Sequence, residues 1–143
     1  MVKSLSHYRT AKGQVERLRN VEALYADTLR AALWVGCADK LILLKENQNG
    51  DWEEQEIGEP FAAGGQNIDY LFPDGDKLWV GTAQGSLYKG RPGAWETLIG
   101  SVDLKQLRGI RPGPKPKTWW LGYGDGLQLW SEETQEFLAP RLP

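Results

Sequence analysis

The sequence predicts an all-β protein that repeats one antiparallel unit three times. A Trp-centred tetrapeptide occurs at residues 33–36 (LWVG), 78–81 (LWVG) and 119–122 (WWLG), so the tryptophans are 45 and then 41 residues apart. Each tetrapeptide is followed by a short polar turn and a second apolar run, which is typical of a β-hairpin. Repetition at this spacing indicates copies of one supersecondary unit that pack on each other.

Each unit is expected to hold four strands. The first strand carries an apolar-x-x-apolar element, the second carries the tetrapeptide, the third follows the polar turn, and the fourth begins near an aromatic residue. The apolar elements are Val21–Leu24, Ile68–Leu71 and Leu107–Ile110, and the aromatic residues are Trp52, Trp95 and Phe137. We therefore place the three units at about residues 21–58, 67–100 and 107–139.

The start of the chain has two interpretations. Residues 14–30 space their apolar side chains as an amphipathic helix does. The repeat register explains the same Val21 and Leu24 and also matches the other two units, so we predict a strand there. Residues 1–20 are expected to form a leader before the repeats, with a clasp strand at about residues 4–10 that reaches a neighbouring unit.

Four-stranded units of 40–45 residues are typical of β-propeller blades. The units resemble two-component regulator propeller repeats, whose hallmark is an apolar strand, an Asp-containing turn and then LWVGTxxGLY. Residues 78–88 (LWVGTAQGSLY) carry this motif with Ser86 as one extra residue, and residues 119–127 (WWLGYGDGL) carry a variant of it. The first unit departs from the motif, because Cys37 replaces the Thr and Lys40 replaces the second Gly.

The resemblance covers roughly residues 21–139 and implies three four-stranded antiparallel blades. In that family such blades build large, often periplasmic, sensor domains of membrane histidine kinases. We expect no transfer of that role, since this chain contains no kinase sequence and no apolar run of about 18 residues.

Repeated residues are expected to serve packing between blades. The Trp of each tetrapeptide places a large apolar face between neighbours, and the Gly after it allows close approach of adjacent sheets. These positions are Trp34, Gly36, Trp79, Gly81, Trp120 and Gly122. The alternative role for the tryptophans is stacking on a sugar.

Composition narrows the functional classes. The net charge is −2, which does not indicate a nucleic-acid or anionic-membrane surface. Cys37 is the single cysteine and His7 the single histidine, so we expect no disulfide within the chain, metal site, cofactor or catalytic group. The first residues contain no apolar segment of a signal peptide, so we expect a cytoplasmic protein.

Three blades are too few to close a propeller, which uses about four to eight. We expect a ring closed by homo-oligomerisation, with a two-chain dimer first, or by a partner chain that supplies further blades. The third solution is that this chain is one piece of a longer or degenerate propeller. The predicted function is a non-enzymatic binding or scaffold module. The alternatives are a carbohydrate-binding lectin and a sensor-domain fragment of a signalling system, and an enzyme such as a lyase is the third class.

A ligand, either a small molecule or a glycan, is expected at the turns that follow the second strands. Side chains in or beside those turns are the candidates for its binding site: Asp39, Lys40, Gln84, Tyr123 and Asp125.

Overall fold

A computed structural model describes residues 5–100, 107–124 and 126–138. Every regular element in these ranges is a β-strand, which confirms the all-β prediction. Residues 14–30 contain two strands, so the helical interpretation of this segment is wrong. Across the described residues there is no helix with the length and apolar character needed to cross a membrane.

The described residues contain fourteen strands. In chain order they are β1 (His7–Arg9), β2 (Val15–Arg17), β3 (Val21–Asp27), β4 (Ala32–Cys37), β5 (Leu41–Glu46), β6 (Trp52–Gln55), β7 (Ile68–Asp74), β8 (Lys77–Thr82), β9 (Leu87–Arg91), β10 (Ala94–Ile99), β11 (Leu107–Pro112), β12 (Thr118–Tyr123), β13 (Gly126–Ser131) and β14 (Glu136–Leu138).

These strands form three sheets. The second sheet has the order β10-β9-β8-β7 and the third has the order β11-β12-β13-β14, and both are four-stranded and antiparallel. The first sheet has six strands in the order β2-β1-β6-β5-β4-β3 instead of the four that we expected. The difference arises because the leader adds a hairpin, whose β1 joins β6 in parallel through Arg9 and Glu53.

Apolar side chains of the leader cover the face of the first sheet that points away from the second sheet. Tyr8 is 2% exposed and shares a buried cluster with Val35, Ile42 and Leu44, and Leu18 packs against the same cluster. The leader therefore belongs to the first sheet itself, whereas the clasp prediction placed it on a neighbouring unit. Because β1 lies beside β6, β6 is not an edge strand of the first sheet.

The three sheets pack on each other through their first strands. β7 contacts β3 and β4 of the first sheet, and β11 contacts β7 and β8 of the second sheet. One core lies between the first and second sheets around Trp34, and another lies between the second and third sheets around Trp79. The loop after β6 adds Ile57 and Phe61 to the first of these cores.

The three sheets share one internal register. Val21, Ile68 and Leu107 each begin the first strand of a sheet, and each is followed by a β-bulge before the third residue of that strand. A bulge is a specific local feature that bends a strand at a defined point. Because it recurs at the same place, residues of the three sheets can be compared position by position.

Candidate functional site: the uncovered face of the third sheet

Two of the three repeated tryptophans lie in closed environments. Trp34 and Trp79 are both 0% exposed. The Trp34 indole donates a hydrogen bond to Asp27 Oδ2 at 2.9 Å, and the Trp79 indole donates one to Asp74 Oδ2 at 3.1 Å. A buried indole with its N–H engaged in this way packs the junction between two sheets and is not accessible to a ligand.

Trp120 has a different environment. It is half-buried, and it lies on the face of β12 opposite to Trp119, which packs in the core between the second and third sheets. The ring of Trp119 approaches that of Trp79 with 5.0 Å between centroids. The register position that holds Asp27 and Asp74 in the other sheets is occupied here by a glycine, Gly113. Trp120 therefore points away from the second sheet, where Trp34 and Trp79 point towards the next sheet.

The surroundings of Trp120 form an apolar surface. Leu129 lies directly opposite Trp120, Leu138 lies opposite Leu129, and Leu127 lies opposite Gly122. Because residues opposite each other share one side of a sheet, all five lie on the same face. We call these five residues the third-sheet face.

Comparison with the other sheets shows what this face lacks. Leu127 is 62% exposed, whereas Leu41 and Leu87, which occupy its register position, are 1% and 0% exposed. The same position is therefore buried wherever another sheet follows. The third-sheet face is therefore equivalent to the faces of the first two sheets that pack on a following sheet, and no described sheet covers it.

The glycines of the repeated tetrapeptides show the same difference between the first two sheets and the third. A Cβ added at Gly36 would lie 2.7 Å from Ile68 Cγ2, and one added at Gly81 would lie 2.5 Å from Leu107 Cδ2. Each glycine is thus the point at which the next sheet's first strand presses a branched side chain against β4 or β8. A Cβ at Gly122 would meet only the backbone of Gly109, at 3.9 Å.

The three sheets form a stack, and strand β3 at its opposite end is also more exposed than the equivalent strands of the other sheets. Val21 and Leu24 occupy the register positions of Ile68 and Leu71 in the second sheet. Ile68 is 0% exposed, but Val21 is 44% and Leu24 is 61% exposed. Strand β3, the first strand of the first repeat, therefore leaves exposed an apolar pair whose equivalents in β7 pack against the preceding sheet. The alignment of the apolar elements contained this signal, since no sheet of the described residues precedes the first copy.

A polar cavity lies at the other candidate residues. Asp39 and Lys40 line a cavity of about 450 Å³ with Glu16, Glu54 and residues of the loop after β6. Lys40 Nζ lies 2.9 Å from Glu16 Oε2. Burial opposes the charge of Lys40, but hydrogen bonds with Tyr8 and Glu16 outweigh it and raise the pKa of Lys40. Burial also raises the pKa of the Glu54 carboxyl.

The remaining candidates lie elsewhere. Gln84 is exposed in the turn between β8 and β9, and it does not line this cavity. Tyr123 is 6% exposed in the core between the second and third sheets, where burial raises its pKa to about 12. Its hydroxyl has no hydrogen-bond partner among the described residues. Asp125 lies outside the described residues, so only Asp39 and Lys40 are brought together.

Within the described ranges, no three His, Cys, Asp or Glu side chains are grouped closely enough to hold a metal ion. Comparison with known proteins gives no matching family model and no matching curated protein. The resemblance to two-component regulator propeller repeats therefore stays a prediction from the sequence motif.

Proposed function

We propose that this chain is a non-enzymatic propeller-type module for binding or scaffolding. Its three sheets act as consecutive blades, and its third-sheet face packs against a further sheet supplied by another chain. The observation that carries the proposal is the repeated junction. The same register positions are buried at the first two junctions and exposed at the third, as Leu41, Leu87 and Leu127 show.

The energetics favour a covered third-sheet face. Burying a large apolar side chain stabilises by roughly 2–3 kcal/mol, and the face combines Trp120 with three leucines. Contiguous apolar surface of this kind on a protein marks an interaction site. A partner that covers the face gains this burial without any change in the three sheets.

The two ends of the stack differ in how far the chain itself covers them. Terminal units of repeat proteins need a cap that shields their outer face from water. Tyr8 and Leu18 supply that cap over β4 and β5 of the first sheet. The described part of the third sheet carries no equivalent cover over Trp120 and Leu127, so the leader shields part of one end of the stack, where Val21 and Leu24 stay exposed, and the other end has no such cover.

The lectin alternative is less well supported. Stacking on a sugar needs an accessible aromatic face, and Trp34 and Trp79 are fully buried with their indole N–H groups bonded to Asp27 and Asp74. Trp120 alone of the three repeated tryptophans retains an accessible surface.

The test combines light scattering with an apolar dye that fluoresces on exposed hydrophobic surface. We expect the wild-type chain either to associate or, as a single chain, to bind the dye. Trp120→Ser should reduce whichever signal is present, because it makes the centre of the face polar. Leu29→Ser is the matched control, since Leu29 is 72% exposed in the turn between β3 and β4 and lies off the face. A folded single chain that binds no dye would contradict the proposal.

A further inference from the structure

The two junctions within the chain are built from the same pair of residue types, a branched apolar side chain and a glycine. At the first, Ile68 at the start of β7 lies against Gly36 of β4, and at the second, Leu107 at the start of β11 lies against Gly81 of β8. Each junction therefore matches a branched side chain with a glycine that has no side chain to obstruct it.

The chain also contains one branched residue and one glycine at these register positions that do not contact each other. Val21 occupies the position of Ile68 and is 44% exposed, and Gly122 occupies the position of Gly81 with open space above it. Resting on the proposed function above, we propose that a second copy of this chain covers the third-sheet face. Strand β3 of that copy packs on β11 and β12, with its Val21 over Gly122 and its Leu24 beside Trp120.

Charge at the same register favours a second copy as the occupant. Glu22, Asp69 and Arg108 each follow the branched residue that begins a first strand. Burial and the like charge of Glu22 across the first junction raise the pKa of Asp69, and Arg108 across the second junction acts to lower it. A head-to-tail contact sets Glu22 of the second copy beside Arg108, which pairs an acidic with a basic side chain as the second junction pairs Asp69 with Arg108.

The leader does not occupy the contact that the second copy needs. It covers Val35, Ile42 and Leu44 on β4 and β5, and it leaves Val21 and Leu24 of β3 exposed. The first junction has the same arrangement. Ile57 and Phe61 from the loop after β6 join its core, while β7 still contacts β3 and β4 of the preceding sheet.

Two such contacts close the assembly. Each copy offers β3 at one end and the third-sheet face at the other, so two copies meet head to tail twice. The result is a ring of six sheets, within the range of about four to eight that closed propellers use.

Disulfide trapping tests the contact directly. Val21→Cys and Gly122→Cys are made in separate chains, mixed and oxidised. We expect a covalent dimer that requires both variants. Leu29→Cys mixed with Gly122→Cys is the control, because Leu29 lies off the contact. The native Cys37 is 1% exposed and stays in place in all chains, with oxidised wild type as its own control.

A second variant pair tests the contact without a covalent crosslink. Gly122→Ala adds a methyl group where the nearest atoms of the chain are 3.9 Å away, so the chain still folds. Gly126→Ala is the control on the opposite face of the same sheet, with nothing within 4 Å of the added Cβ. Overpacking at an interface weakens it, so sedimentation should show a dimer dissociation constant raised roughly tenfold or more by Gly122→Ala and unchanged by Gly126→Ala.

The outcomes separate this inference from the proposed function. Two results together would overturn this interface and leave the proposed function intact. The dimer dissociation constant would be unchanged by Gly122→Ala, and the Val21→Cys and Gly122→Cys chains would form no disulfide with each other. A single-chain particle that binds apolar dye would overturn the second copy as occupant, and a different partner would then cover the face. A single-chain particle that binds no dye would overturn both.

Discussion

The indole of Trp34 and the carboxylate of Asp27 form a buried hydrogen bond of 2.9 Å, and Trp79 and Asp74 repeat it at 3.1 Å one sheet later. In each pair the acidic residue ends the first strand of the sheet, and the tryptophan lies on the second strand. The repeat therefore provides the same hydrogen bond in two sheets, because a tryptophan buried at a sheet junction needs an acceptor for its N–H group.

Removing this acceptor should destabilise the fold. Asp27→Ala leaves the buried Trp34 indole without a partner, and we expect a loss of about 1–3 kcal/mol in the free energy of unfolding. A double-mutant cycle by chemical denaturation checks the assignment. In a Trp34→Phe chain, which has no indole N–H, Asp27→Ala should cost less, and what remains should reflect the ion pair with Arg30 at 2.7 Å. Equal cost in both backgrounds would contradict the role of this bond.

Stability should depend on pH through the same carboxylate. Burial acts to raise the pKa of Asp27, but hydrogen bonds from Trp34 and Arg30 outweigh it and hold the pKa below the ordinary value. A carboxyl whose pKa is lower in the folded than in the unfolded state, about 3.9, stabilises fully above that value. This contribution is lost as the pH falls through the folded-state pKa. Unfolding measured from pH 6 to pH 2 should show a shallower acid loss for Asp27→Asn, and an unchanged slope would refute the assignment.

The equivalent tryptophans should differ in their effect on folding. Trp79→Ala removes a fully buried ring from the core between two sheets, so we expect a loss of about 3–5 kcal/mol. Trp120→Ala removes a half-buried ring from an open face, and its cost to the fold should be smaller, about 1 kcal/mol. Both are measured by denaturation at concentrations where the chain is not associated. Similar losses for the two variants would mean that Trp120 is covered within one chain.

The equivalent glycines offer a sharper contrast. Gly81→Ala drives a methyl group into Leu107, and overpacking of this kind costs about 1–3 kcal/mol. Gly122→Ala meets only the Gly109 backbone, at an unstrained 3.9 Å, and should change the unfolding free energy of the unassociated chain by less than about 0.5 kcal/mol. Denaturation of the two variants side by side tests the claim. Equal destabilisation would show that a side chain already lies over Gly122.

The leader should contribute to the stability of the first sheet. Tyr8→Ala removes a ring that is 2% exposed, so we expect a loss of about 3–5 kcal/mol and increased binding of apolar dye. The neighbouring His7→Ala is the control, since His7 is exposed and should change stability by less than about 0.5 kcal/mol. A Tyr8→Ala chain as stable as the control would mean that Val35, Ile42 and Leu44 do not depend on the leader for burial.

The strand order within each repeat was predictable because its signal is repeated. Trp34 and Trp79 appear in identical tetrapeptides, and an apolar-x-x-apolar element precedes each of them by a similar distance. Three copies of one pattern decided between strand and helix at Val21, where the local spacing alone favoured a helix. The physical basis is that side chains of equivalent strands face equivalent neighbours.

Features without a second copy were not predictable. The leader strands are three residues each, and Tyr8 and Leu18 have no equivalents in the other units. The prediction of four strands in the first sheet failed for this reason. Tyr123 was assigned to a surface turn, although its position ends β12 as Thr82 ends β8, and that position is buried in both sheets. Burial at a sheet junction depends on which neighbours are present, and the local sequence does not contain that information.

The most direct measurement is the distance from the Gly122 Cα atom to the nearest side chain of another chain, in a crystal structure of the native particle. The account predicts a branched apolar side chain in van der Waals contact, at about 4 Å, as Ile68 meets Gly36 and Leu107 meets Gly81. That side chain should be Val21 of a second copy. A native particle in which Gly122 and Trp120 face solvent would contradict the claim that the third-sheet face is a junction.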